Sequence, residues 1–135
     1  MGLMFEKPAK GSARAARVER RIKAEQHESR EKTKARKRDG YRCRWPKCDC
    51  AERRDRIEVA HLIDKSKLGA NDAENLITLC LARHQGKPSL HSKDLRIEPL
   101  TDQGTNGPCQ FFARDEDGRW YVVAEEIGIG IYRRD

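Results

Sequence analysis

Cys43-Arg-Trp-Pro-Lys-Cys48, Ile57-Glu-Val-Ala-His61-Leu-Ile63 and Asn75-Leu-Ile-Thr-Leu-Cys80-Leu-Ala-Arg-His84 are the three pieces from which this fold is read. Apolar residues alternate through the second piece, which predicts a strand with Ile57, Val59, His61 and Ile63 on one face. Leu76 to Leu79 is a second short β-type run, ending at Cys80. Residues 65–74 contain Gly69, Asn71 and Asp72 and read as a loop. Leu81 to Gln85 opens a helix that Gly86 and Pro88 should cut short. The order is strand, loop, strand and helix start, with His61, Asn75 and His84 at its corners.

The cysteines add chemistry. Cys43, Cys48 and Cys50 cluster, Cys80 follows thirty residues later, and Cys109 lies in the tail. Residues 1–10 contain no continuous apolar run, so no secretory signal is expected and metal ligation is a better reading than disulfides. The turn from Cys43 to Cys48 can present two thiolates to one ion. Zinc binds such thiolates at about 2.3 Å in a tetrahedron and contributes folding energy. Cys43, Cys48 and Cys80 are the expected zinc ligands. Cys50 and Cys109 read first as free thiols, with Cys50 kept as a candidate fourth ligand.

Charge sets the partner class. The chain has 135 residues, 38% charged against 36% hydrophobic, with a net charge of +7. That describes one small domain with appendages, and no apolar run approaches the roughly 18 residues of a membrane span. Residues 1–38 carry thirteen Lys and Arg against five Glu, a net of +8; residues 39–92 net +2 and residues 93–135 net −3. The surplus therefore belongs to the arm, through Arg14, Arg17, Arg20, Arg21, Lys23, Lys34, Arg36, Lys37 and Arg38 among others. Clustered cations bind polyanions by releasing condensed counterions, so these residues are the candidate nucleic-acid contacts; a solubilising extension is the plain alternative. Ala15, Val18 and Ile22 form a thin helical stripe, so the arm is expected to be helical when docked. Deleting it should weaken binding and flatten its salt dependence without removing the metal site.

Residues 40–92 resemble the HNH endonucleases. The resemblance lies in Gly40-Tyr-Arg-Cys43 through Cys48, in Glu58-Val-Ala-His61-Leu-Ile, in Asn75-Leu-Ile-Thr-Leu-Cys80 with His84, and in Ser89-Leu-His91-Ser. It covers about two-fifths of the chain. His61 to Asn75 is fourteen positions and Asn75 to His84 nine, both usual in that family. The resemblance implies an α+β fold: a small ββα-metal, treble-clef-like finger over 39–92, with a basic helical or partly disordered arm over 1–38. A β-hairpin extension is expected over 93–135. It implies a DNA endonuclease with His61 as general base, a role suited to histidine's near-neutral titration. Asn75 would orient His61 through its side-chain or backbone carbonyl. His84 and His91 would hold one divalent cation (Mg, Mn, Ni or Zn), beside the structural zinc. DNA is the implied partner, along with a second protomer or a larger phage or mobile-element protein, in the cytoplasm of a bacterial host.

Two positions depart from the family pattern. Ala60, before the base, stands where Asp or His commonly ligates metal, and Asp64 is a conceivable substitute. Arg83, three after Cys80, stands where Cys or His is usual, and a guanidinium offers no lone pair. The zinc site must then be completed by Cys50, or by His84, or be missing. If His84 completes it, the chain is a non-catalytic treble-clef zinc module that binds nucleic acid. A small structural protein of an RNA-rich assembly is a third reading, resting on charge alone. In the tail, Phe111-Phe-Ala-Arg and Arg119-Trp-Tyr-Val-Val flank Asp115-Glu-Asp-Gly118, a hairpin signal. Their aromatics are expected to pack the back of the finger. Residues 127–131 are too short and glycine-rich to assign.

Overall fold

The structure is a computed structural model that describes residues 12–63 and 71–134. Helix α1 spans Ala13–Arg38. Ser12 caps its start, its Oγ accepting the Ala15 N–H at 3.0 Å. Arg36, Lys37 and Arg38 in the last turn complement the negative end of the helix dipole. The helix stops at Gly40, whose φ of 67° is the left-handed conformation glycine tolerates. Gly40 N–H then returns to the Lys37 carbonyl and Tyr41 N–H to the Arg36 carbonyl, which satisfies the terminal acceptors.

Of the apolar stripe expected from the sequence, Ala15 is buried and Val18 half-buried, but Ile22 is 45% exposed. Contact is made further along, by His27, Glu31, Ala35 and Arg38. Ala35 is buried against Val59 and Leu76. Glu31 accepts the Ala73 N–H, and Arg38 donates to the carbonyls of Ala73 and Leu76. The helix is therefore part of the folded body, and deleting all of it would remove core contacts as well as charge.

The finger follows. A short helix α2 (Cys50–Arg53) precedes β1 (Ile57–His61), which pairs antiparallel with β2 (Leu76–Cys80), Ile57 opposite Cys80 and His61 opposite Leu76. The first strand ends two residues earlier than the alternation suggested: Leu62 packs toward the core while Ile63 is exposed. Helix α3 (Leu81–Gln85) is ended by Gly86, where any Cβ would meet the Ala82 carbonyl oxygen. With β1 and β2 it makes the ββα unit of an α+β fold.

The C-terminal part is larger than a hairpin. Strands β3 (Leu95–Pro99), β4 (Cys109–Arg114), β5 (Trp120–Gly128) and β6 (Ile131–Tyr132) form an antiparallel four-stranded meander. Residues 127–131, unassigned from sequence, close β5, turn at 129–130 and open β6. One core joins finger and sheet: Trp45, Ala60, Ile77 and Leu79 pack with Leu95, Ile97, Cys109 and Phe111. Trp45 and Phe111 meet edge-on at 5.4 Å. Phe111 thus backs the finger as expected, whereas Phe112 and Trp120 do not join this cluster.

A buried polar hub ties the parts together. Arg44 is 2% exposed and binds Glu126 through Nε–Oε2 at 3.2 Å and Nη2–Oε1 at 2.5 Å. It also donates to the carbonyls of Thr105 and Gly107 and to Asp39. Burial works against the Arg44 charge, but Glu126 and Asp39 hold its pKa above the ordinary arginine value. Arg44→Ala would leave buried Glu126 without its counter-charge, while Asp39 keeps Arg38, and should cost about 3–5 kcal/mol in urea unfolding. Replacing Arg44 and Glu126 together by apolar residues of similar size should recover much of that loss.

Candidate active site

Four thiols converge at the base of the finger. The sulfurs of Cys43, Cys48, Cys50 and Cys80 lie within 4.8 Å of one another, and Cys48 and Cys80 are 3.7 Å apart. Sulfurs bound tetrahedrally at about 2.3 Å stand about 3.8 Å from each other, so the cluster fits a four-thiolate metal site. Cys50, read first as a free thiol, is the fourth member because α2 starts on it and turns its side chain inward. Cys109 stays apart, buried beside Arg44 and Gly107. Burial pushes the Cys43 thiol well above its usual value. Burial also acts on Cys48, but the Cys50 backbone N–H and the Arg83 guanidinium outweigh it and hold Cys48 below. Arg83 is thus not a ligand but a cation placed beside the sulfurs.

His84 is not recruited to this cluster, which removes the arrangement in which it completes a zinc site. Its Nδ1 lies 2.9 Å from Glu58 Oε1. Glu58 also accepts from Gln85 Nε2 and Arg56. Burial tends to raise the Glu58 carboxyl, yet His84 and Arg56 hold it below the usual carboxylate range. An ionised carboxylate on Nδ1–H fixes the tautomer in which His84 Nε2 keeps its lone pair, the usual support of a metal-binding histidine. The His91 ring stands 6.2 Å from that of His84, centroid to centroid.

His61 ends β1, and its Nε2 lies 2.8 Å from Asn71 Oδ1. The amide oxygen accepts Nε2–H and leaves Nδ1 as the basic nitrogen. Asn75 grips the chain leaving His61: its carbonyl accepts the Leu62 N–H at 2.7 Å. Its side chain both accepts from and donates to the Ile63 backbone, at 2.9 and 3.1 Å. Helix α1 braces the same segment through His27–Asp72 at 2.7 Å and through Glu31 on Ala73. Sequence reasoning missed Asn71 and Glu58. Asn71 read as a loop former, and Glu58 stood within the family motif without a role of its own.

The three histidines share one open cleft of about 660 Å³, lined also by Leu62, Ile63 and Leu90 from the finger and by Lys93, Arg96 and Trp120 from the sheet. Ala60 is 1% exposed, its methyl packed in the core, so a ligand at that position would be buried among apolar groups. Asp64 lies outside the described residues. On the arm, Arg14, Arg17, Arg20, Arg21, Lys23, Lys34 and Lys37 are exposed and Arg36 is half-buried. Arg38 is a correction: its guanidinium is committed to Asp39, Ala73, Leu76, Thr105 and Asn106. No helix among the described residues is long and apolar enough to cross a membrane.

No curated protein and no solved structure matches the chain. Residues 42–89 match the family model described as HNH endonuclease. That span holds the four clustered cysteines together with His61, Asn75 and His84, while His91 lies just beyond it. The ββα geometry agrees with this match, so residues 42–89 are similar to an HNH endonuclease domain in both sequence and local fold.

Proposed function

We propose that the chain is a metal-dependent DNA endonuclease that leaves 3′-hydroxyl and 5′-phosphate ends. The observation that carries this reading is the single cleft lined by His61, His84 and His91. His61 Nδ1 takes a proton from the attacking water while Asn71 holds the ring and Asn75 fixes the chain behind it. His84 Nε2 and His91 are the donors for one divalent cation, with Glu58 orienting the first. Such a cation, when bound, supplies charge stabilisation to the phosphate and the leaving 3′-oxygen. Two imidazoles leave coordination positions open, as a catalytic site requires. The four thiols hold the structural zinc, and the exposed arm cations contact phosphates along the DNA.

The rival is a treble-clef zinc module that binds nucleic acid without cutting it. Ala60 favours it, since that position supplies no ligand. The separation of His84 from the thiol cluster opposes it, because a binding module has no use for a carboxylate-supported histidine in the cleft.

Plasmid DNA with Mg²⁺, Mn²⁺ or Ni²⁺ decides between them. Nicked or linear products that a chelator prevents are expected. Imidazole donors bind Ni²⁺ more tightly than Mg²⁺, so cutting should begin at lower Ni²⁺ concentrations. DNA bound without cleavage under every ion would establish the rival.

A further inference from the structure

The cleft has a second wall, built by the four-stranded sheet. Trp120, Arg96 and Lys93 line the same opening as the three histidines. Trp120 is 38% exposed. Its ring is held in place by two cations, the guanidinium carbons of Arg96 and Arg114 each lying 5.2 Å from its centroid. Arg96 also lies 5.0 Å from the Phe112 ring and is anchored by Glu98 at 2.6 Å, while Arg114 donates to the Lys93 carbonyl at 3.0 Å. Register explains the arrangement. Arg96 stands opposite Phe112, and Arg114 opposite Trp120, so rings and guanidiniums share one face of the sheet.

Flat aromatic and guanidinium surfaces at the mouth of a cleft that handles phosphates have the chemistry of a base-stacking platform. Resting on the nuclease reading of this cleft, we infer that Trp120 and Arg96 stack an unpaired base beside the scissile phosphate. The favoured substrate is then DNA carrying a single-stranded or frayed segment. In an intact duplex each base face is covered by its neighbours, so Trp120 has nothing to stack on, although the cations still meet phosphates. The cleft volume of about 660 Å³ lies within the range of about 300–1,000 Å³ typical of small-ligand sites.

Tryptophan fluorescence tests this directly, because the chain has two tryptophans and Trp45 is 5% exposed. The probes are a short single-stranded DNA and the blunt duplex of the same sequence, added to His61→Ala protein without added divalent ion. The single strand should quench the emission strongly and the duplex little. Trp120→Ala should abolish that quenching and weaken single-strand binding by about tenfold, the loss of one stacked base, while Trp120→Phe keeps most of the affinity. Equal quenching by duplex and single strand, or a Trp120→Ala protein that binds the single strand as tightly, would overturn the inference. Plasmid cutting is read separately. Selective quenching without cutting under any ion would sink the nuclease reading and leave the platform standing; cutting without selective quenching would do the reverse.

Discussion

Cys80→Ser should leave the finger unfolded and free of zinc. Cys80 is fully buried at the junction of β2 and α3, and its sulfur belongs to the four-thiol cluster. A structural zinc contributes about 10–16 kcal/mol of apparent folding energy in zinc-finger peptides, against a total stability of about 5–15 kcal/mol for a whole domain. Losing one of four ligands therefore removes more than the small core can replace. Loss of the cooperative thermal transition and of bound zinc are the readouts. Cys109→Ser is the control: that thiol is equally buried but lies outside the cluster, so one zinc per chain should remain. The pH dependence has a definite sign. Without an ion, burial pushes Cys50 up to about 11 and Cys43 higher still, so both are protonated thiols at neutral pH. Ion binding must then expel protons, and a chelator should strip the metal more readily as pH falls. A Cys80→Ser protein that melts like the parent would show that the cluster holds no structural ion.

The ββα frame was legible because it is written in local rules. Alternation marks β1, the run Leu76–Cys80 marks β2, and Gly86 ends α3 where the sequence places it. His61, His84 and His91 were legible as types at characteristic intervals. What the sequence did not disclose is long-range and polar. Arg44 and Glu126 are 82 positions apart, and neither belongs to an apolar pattern that would mark it as buried. The docking face of α1 failed for the same reason: it uses His27, Glu31 and Arg38, which a search for hydrophobic periodicity passes over.

The active-site omissions have a related cause. Glu58 sits on an alternating strand where the outward positions read as solvent-facing, yet it is only 9% exposed because His84, Gln85 and Arg56 converge on it. Cys50 read first as a free thiol, with the fourth-ligand role left open, because α2 is a single turn, too short to announce by pattern that it turns the thiol inward. Trp120 was placed behind the finger because the tail is acidic overall. Segment charge averages over both faces of a sheet, and one face here gathers Arg96 and Arg114 around the ring.

His61→Ala should lower the cleavage rate by about 10²–10⁴-fold, the usual contribution of a general base, while DNA affinity measured by gel shift stays at the parent level. Binding is spared because the cations that would meet the phosphates lie on α1 and on the sheet, not on His61. The fold is spared because the ring is half-buried at a strand end and its hydrogen bond goes to Asn71 in the loop, outside the apolar core. Asn71→Ala should fall between the parent and His61→Ala. The base is still present, but its ring can rotate and exchange tautomers, so only a fraction of molecules offer Nδ1 to water. Imidazole added to the buffer should restore part of the His61→Ala rate, since it supplies the missing base in a cleft with room for it. It should do little for Asn71→Ala, where the native ring still fills the position. A His61→Ala protein that keeps its zinc and cuts at the parent rate would remove His61 from the chemistry. The base would then have to be sought among the other groups that line the cleft.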